Sequence, residues 1–438
     1  MTTRTGRAAR GRAWAVWWAI AVVCVGAATA AGQWWWEKAE PGPEPVYPDV
    51  TMSPDALLGA PGAEVRILDA RPTDAYAAGH VPGAVSAPAA GLPALEHAAA
   101  YLGSLGLTGD ERVVCVGAGT DLADASLLFW FLEASGSQNA AVLIGGVAAW
   151  VAVGGRLDVA PAEPRPAEWT SAPNPDRTAT RDHVAAVYGE TGHELVDVRG
   201  WDVWEGRPQE PGVAPAARTG HIPHALPYDF GEFLSSDGTL RPAGDTRATF
   251  SRLGPRPSNP VSLEDEFVVY GDGPEDAAPG YFLLRRAGIA RVRLYAGGFR
   301  EWSSVPGLPL TRIVHAEEVL ARLNREPRLL VPDTPPRGFV LLDVRHDRDY
   351  EVLGHIPGAV NLPSHVFADS LDVTLARTWP GVDRTTVPIV CYCYGASCIR
   401  SRNCSTMAAR AGFVNTERFY GGIEEWNGIG APVIKTLR

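Results

Sequence analysis

Three times along the chain the same set of residues returns at similar spacing, and this repeat limits the fold more than any other feature of the 438 residues. Each copy opens with an apolar run ending in Asp-x-Arg: Ile67-Leu68-Asp69-Ala70-Arg71, Leu195-Val196-Asp197-Val198-Arg199 and Leu341-Leu342-Asp343-Val344-Arg345. An aromatic residue follows (Tyr76, Trp204, Tyr350), then a Gly-His-apolar-Pro turn at Gly79–Pro82, Gly220–Pro223 and Gly354–Pro357. A second apolar run comes next, Val113–Val116, Phe267–Tyr270 and Ile389–Tyr392, leading into a helical stretch closed by Gly136, Gly288 and Gly412. Nine residues beyond each of those glycines begins a Gly-Gly-x-x-x-Trp: Gly145–Trp150, Gly297–Trp302 and Gly421–Trp426. A recurring set of this kind marks repeated structural units. Short apolar runs alternating with helices predict a mainly parallel sheet covered on both faces.

The Pro-rich stretch 160–175 separates the first two copies, the second ends near Pro309, and the third opens with a helix around His315–Leu323. Asp-x-Arg, Gly-His-Ile-Pro, a strand running into a loop and helix, and Gly-Gly-x-x-x-Trp together resemble the rhodanese (thiosulfate sulfurtransferase) superfamily across about residues 50–438. The expected organisation is an α/β chain of three tandem rhodanese-like domains: 50–160 and 177–311, both inactive, and 312–438, the candidate active copy. All three copies keep the Asp, Arg and His whether or not they keep a cysteine, so these residues are expected to form a buried ion pair and a satisfied turn.

In active members of this family the nucleophile is a cysteine at the carboxyl end of the central strand. Loop amides and a helix N-terminus there form an anion-binding nest and lower the thiol pKa. The family pattern Cys-x-x-x-x-Arg-Ser, counted back from the helix-ending glycine, places its Arg-Ser on Arg400 and Ser401, and Cys393 stands at the strand end. The resemblance thus implies Cys393 as the nucleophile, and Tyr394, Gly395, Ala396, Ser397, Cys398 and Ile399 as the cradle. Arg400 becomes an anion clamp. From Cys393 to Arg400 the loop runs eight residues, two more than the family's sulfurtransferase loop, which leaves the identity of the anion open. The second copy carries Gly271 at the cysteine position, 17 residues before Gly288, followed by the acidic Asp272-Gly273-Pro274-Glu275-Asp276. In the first copy Cys115 lies inside the strand and matches Cys391, not Cys393.

Four of the six cysteines (Cys391, Cys393, Cys398 and Cys404) fall in the third copy. A metal site is one reading of such a group. Against it, Cys391 is expected in the strand core and Cys404 on the buried face of the helix. Cys398 is either a small loop residue or a resolving cysteine that attacks a persulfide or sulfenate on Cys393. The leading expectation is a sulfurtransferase without cofactor or metal, taking sulfur from a small anion (thiosulfate or a persulfide) and giving it to a thiol acceptor. A thiol redox protein built on Cys393 and Cys398, and a non-catalytic binding module, are the alternatives.

The first 36 residues read differently. Arg4, Arg7, Arg10 and Arg12 precede an uncharged run from Ala13 to Ala31, with Trp14, Trp17 and Trp18 at one end and Trp34–Trp36 past the other. As a helix this run would reach roughly 28 Å, about a bilayer core. Arginines on one flank and tryptophans at both interfaces fit one transmembrane helix with its N-terminus in the cytoplasm. The small residues Ala28-Thr29-Ala30 also fit a cleaved secretory signal. Either way residues 37–49 become a tether, and the domains are exported to the periplasmic or extracellular side, where an envelope protein is a candidate partner. The net charge of −11 and the lack of any later basic run exclude nucleic acid.

Overall fold

A computed structural model of the chain describes residues 49–60, 65–207, 218–235, 239–252, 261–325 and 335–435. The expected transmembrane segment lies outside these residues, and no helix among them is long and apolar enough to cross a membrane.

Each repeat folds into its own five-stranded, wholly parallel sheet. The first contains β1 (Thr51–Met52), β2 (Val65–Asp69), β3 (Val85–Ser86), β4 (Arg112–Val116) and β5 (Ala140–Leu143) in the order β1-β5-β4-β2-β3. The second repeats that order with β6 (Thr178–Ala179), β7 (His193–Asp197), β8 (Leu226–Pro227), β9 (Glu266–Tyr270) and β10 (Val292–Tyr295). The third uses β11 (Leu310–Val314), β12 (Val340–Asp343), β13 (Val360–Asn361), β14 (Ile389–Tyr392) and β15 (Asn415–Phe419). Central strands such as Ile389–Tyr392 are apolar throughout and buried throughout, because helices cover both faces.

The repeated polar residues hold each domain together, as expected. Nη2 of Arg71, Arg199 and Arg345 lies 2.6 Å from Oδ2 of Asp69, Asp197 and Asp343. The same nitrogens donate to the carbonyls of Gly79, Gly220 and Gly354 at 2.8, 2.8 and 2.7 Å, tying the strand end to the His turn. His80, His221 and His355 stack on Tyr76, Trp204 and Tyr350 with ring centroids 3.8, 4.2 and 3.6 Å apart. The helix-ending Gly136, Gly288 and Gly412 all have positive φ, the conformation that closes a helix at little cost only for glycine.

Contacts between repeats were not visible in the motifs. The helix Ala123–Ala134 of the first domain packs on Pro274–Arg286 of the second, and one continuous core runs through both. At its edge the Glu133 carboxylate accepts from Tyr281 Oη at 2.6 Å and from Arg285 Nη2 at 2.9 Å. The Pro-rich stretch between these copies lies against the first domain: Ala167 N donates to Gly103 O, and buried Trp169 donates through Nε1 to Ser135 O. The second domain meets the third through the helix Ile399–Arg410. Arg402 Nη2 donates to His224 O at 2.5 Å and Arg410 Nε to Tyr188 O at 3.0 Å.

Candidate active site

Strand register identifies equivalent positions in the three copies. Asp69, Asp197 and Asp343 stand opposite Val116, Tyr270 and Tyr392, so the next residues (Gly117, Gly271 and Cys393) occupy the same strand-end place. Cys115 and Cys391 likewise stand opposite Leu68 and Leu342, inside their sheets. Burial raises the thiol pKa of Cys115, pushes Cys391 up to about 12 and raises Cys404 well above its ordinary value. These three free thiols are core residues.

Cys393 and Cys398 are joined by a disulfide, with their Cα atoms 6.2 Å apart. Cys398 caps the helix Ile399–Arg410, so the sulfur pair sits where helix amides lack intrahelical partners and the dipole is positive. Cys398 N donates to Gly395 O at 2.9 Å, closing the loop into a turn. Among the described residues the amides of Tyr394, Gly395, Ala396 and Ser397 donate to no other protein group, which leaves them for an anion. Both sulfurs are buried in the disulfide form, whereas Ala396 and Ser397 are exposed at the loop tip.

The Gly-Gly-x-x-x-Trp motif builds the floor under this loop. Ile423 N donates to Cys393 O at 3.0 Å and Glu424 N to Tyr394 O at 2.9 Å. Gly422 has φ +56°, and a Cβ there would stand 2.4 Å from Cys393 O. Gly146 and Gly298 make the same approach to the loops of the first two copies. Trp150, Trp302 and Trp426 then anchor the chain after the motif, each donating through Nε1 to a carbonyl (Arg156, Pro309, Pro432) at 2.9 Å. Over Gly395 lies the Glu424 carboxylate, 2.3 Å from where a Cβ would be, so a larger residue there would push this exposed side chain aside.

Around the rim, the Tyr394 hydroxyl hydrogen-bonds the Asp349 carboxylate. Burial raises its pKa, and Asp349 raises it further. The Arg345 and Arg400 guanidinium carbons each lie 5.8 Å from the Tyr394 ring centroid. Arg400, the residue matching the family's anion clamp, stands half-buried at this rim, with Nη2 3.2 Å from His346 Nε2. The His365 ring is 5.7 Å from that of His346. Beneath the loop is a cation the motifs did not suggest. Arg418 on β15 donates to Ser401 Oγ at 3.1 Å and to the carbonyls of Ala396 and Cys398, both at 3.2 Å. Aligning the three repeats on Gly-Gly would have found it, since Val142 and Leu294 fill its place in the other copies.

In the second copy Gly271 stands where the thiol would be, and the next residue carries a carboxylate. Asp272 Oδ1 lies 3.5 Å from Arg199 Nη1, and the Arg199 guanidinium sits 3.6 Å from the Phe299 ring centroid. An internal carboxylate thus occupies the loop beside the arginine that recurs in each copy.

The rhodanese-like domain model matches residues 53–153, 180–305 and 316–428. A probable 3-mercaptopyruvate sulfurtransferase of Pseudomonas aeruginosa is 33% identical over 220 residues, 50% of this chain and 74% of that protein. A thiosulfate sulfurtransferase of Azotobacter vinelandii is 27% identical over 266 residues, 58% of this chain and 93% of that one. Among solved structures, the anaerobic ergothioneine biosynthesis enzyme of Chlorobium limicola aligns at TM-score 0.52 and 19% identity, covering 60% of this chain and 70% of its own, a likeness of fold. With three matched segments covering most of its length and sulfurtransferases among its relatives, the chain belongs to the rhodanese family as a tandem of three rhodanese-like domains.

Proposed function

We propose that the chain is a sulfurtransferase in which Cys393 carries sulfane sulfur as a persulfide and Cys398 is the resolving thiol. The carrying observation is the pairing of these two cysteines in one loop at a helix N-terminus, under amides with no other partner. In the reduced protein the Cys393 thiolate attacks the sulfane sulfur of a donor such as thiosulfate; the S–S bond breaks and sulfite leaves with the electron pair. An acceptor thiolate then takes the outer sulfur and returns Cys393 to its thiolate. Alternatively the Cys398 thiolate attacks the inner sulfur, expels hydrosulfide and closes the disulfide, which an external dithiol must reduce before the next turnover. Arg400 is proposed to hold the anionic donor, and the loop amides its charge as it shifts.

The disulfide favours one second reading, a thiol–disulfide redox protein using the same pair. Intact-mass measurement on the reduced chain separates the two. A gain of one sulfur atom after thiosulfate, or a loss of two hydrogens with hydrosulfide released, supports transfer; a loss of two hydrogens without hydrosulfide, together with no sulfur gain in Cys398→Ser, sinks it.

The domains are further proposed to lie outside the cytoplasm behind the uncharged Ala13–Ala31 run, where an envelope protein would be a partner. Reporter fusions after residue 50 should be active only as periplasmic or extracellular reporters. Cytoplasmic activity would reverse that topology.

A further inference from the structure

The register of the three sheets isolates one position at which the thiol-bearing copy departs from the others. Arg418 stands opposite Cys391 on β14; the residues opposite Cys115 and Val269 in the first two copies are Val142 and Leu294. Both aliphatic residues are fully buried, and Arg418 is 7% exposed. The fold therefore accepts a valine or leucine here twice and buries a guanidinium once. Among the described residues no carboxylate pairs with that guanidinium, and Arg402, a second buried cation, lies close enough to repel it. An unpaired buried charge is costly, so its presence needs a reason other than packing.

We infer that Arg418 is a positioning residue of the Cys393–Cys398 site, aiming the loop amides from below and placing a positive charge under the sulfur pair. This inference rests on the reading of those cysteines as the reacting pair. Arg418 draws the carbonyls of Ala396 and Cys398 downward. Across a trans peptide the next N–H points the opposite way, so the amides of Ser397 and Ile399 face away from Arg418. Its bond to Ser401 Oγ locks the guanidinium against the first turn of the helix, and Tyr420 lies 4.7 Å from its central carbon. Burial, and then the neighbouring Arg402, push its pKa down to about 10, so it is charged at neutral pH. A cation there favours thiolates over the neutral disulfide, making the pair easier to reduce.

The test is redox equilibration of the full chain with dithiothreitol: two electrons and two protons open the Cys393–Cys398 bond as the reagent closes to its own disulfide. Arg418→Leu and Arg418→Met should fold with a thermal midpoint at or above that of wild type. In both, the equilibrium constant for reduction should fall about tenfold, about 30 mV in potential. Arg418→Lys, which keeps the charge, should stay within about threefold of wild type. Wild-type equilibria in the Leu and Met variants would overturn the inference. Failure of both apolar variants to fold would also overturn it, because the position would then be structural. A Lys variant as impaired as Leu would do the same, by removing the role of charge. Thiosulfate loading of Cys398→Ser, in which the sulfur cannot leave as hydrosulfide by disulfide closure, is followed separately. Its failure alongside an intact redox shift would strike the sulfur-transfer reading and leave Arg418 in its place.

Discussion

Gly422→Ala is the substitution whose cost the structure lets us work out most directly. Its left-handed φ of +56° costs an L-residue about 1–2 kcal/mol before any contact is counted. The added Cβ would also stand 2.4 Å from Cys393 O and 2.9 Å from the Tyr394 carbonyl carbon. Both atoms are backbone, so no side chain can swing aside and the loop must lift. Lifting it breaks the Ile423–Cys393 and Glu424–Tyr394 hydrogen bonds, each contributing about 1 kcal/mol. The loss is on the order of 3–4 kcal/mol, concentrated at the seam between the loop and the last helix. Amide hydrogen exchange reads that seam residue by residue. Protection of Ile423 and Glu424 should fall roughly 100- to 1,000-fold, at about 1.4 kcal/mol for each tenfold. Sulfur loading of Cys393 should be lost with it. Gly146→Ala and Gly298→Ala meet the same obstruction, with a Cβ 2.3 Å from Gly117 O and 2.5 Å from Asp272 O, and should loosen their own domains while Cys393 still loads. Wild-type protection at Ile423 and Glu424 in Gly422→Ala would refute the reasoning, as would a Gly146→Ala chain that loses Cys393 chemistry equally.

Further outcomes follow from the other groups. Cys393→Ser should abolish sulfur loading by intact mass, whereas Cys115→Ser, in the strand core, should change stability only; full loading by Cys393→Ser would move the nucleophile to Cys398. Cys398→Ser should still gain sulfur from thiosulfate but no longer release it as hydrosulfide by closing the disulfide. Asp343→Ala leaves Arg345, 1% exposed, without its carboxylate, and should destabilise the third domain by about 3–5 kcal/mol in denaturant titration. Burial lowers the pKa of His221 to about 3, and the unfolded chain then binds the proton more readily than the folded one. Its contribution is complete above about pH 6.5 and is lost as pH falls toward 3, by up to about 1.4 kcal/mol per unit. His221→Gln should flatten that slope in acid denaturation, and an unchanged slope would remove the histidine from the account.

What was legible in the sequence, and what was not, follows from how far apart the interacting residues lie. Asp343 and Arg345 are two positions apart, a spacing repeated in every copy, and His355 stacks on an aromatic five positions away, so these pairings are written locally. The Trp204–His221 stack of the second copy is the exception, spanning 17 positions. The strand-end cysteine and the helix after it are equally local, which is why the loop from Cys393 to Arg400 could be assigned from spacing. The parts that shape the loop come from elsewhere: Asp349 from 45 residues upstream, Arg418 from the neighbouring strand, Glu424 from the last helix. No periodicity in one segment encodes such contacts, and an arginine in a strand reads as an edge or surface residue until register places it beside a buried neighbour. The packing of domains is less legible still, since Glu133 and Arg285 are 152 residues apart.

The repeated residues also explain why a copy without the strand-end thiol remains well folded. In the second domain the Asp197–Arg199 pair, the His221 turn and the Gly298 approach are all intact while the thiol is absent. Those features hold the strand ends and the loop backbone, which any copy needs in order to fold. The proposed sulfur transfer asks for three things more: a thiol at the strand end, free amides around it, and a charge beneath. Only the third domain combines Cys393, the extended loop and Arg418. Gly271→Cys alone should therefore not make the second domain load sulfur. Asp272 would still hold its carboxylate beside Arg199, and Leu294 would leave the floor uncharged. A Gly271→Cys chain lacking Cys393 that nevertheless gained sulfur from thiosulfate would show that the strand end and helix N-terminus are sufficient.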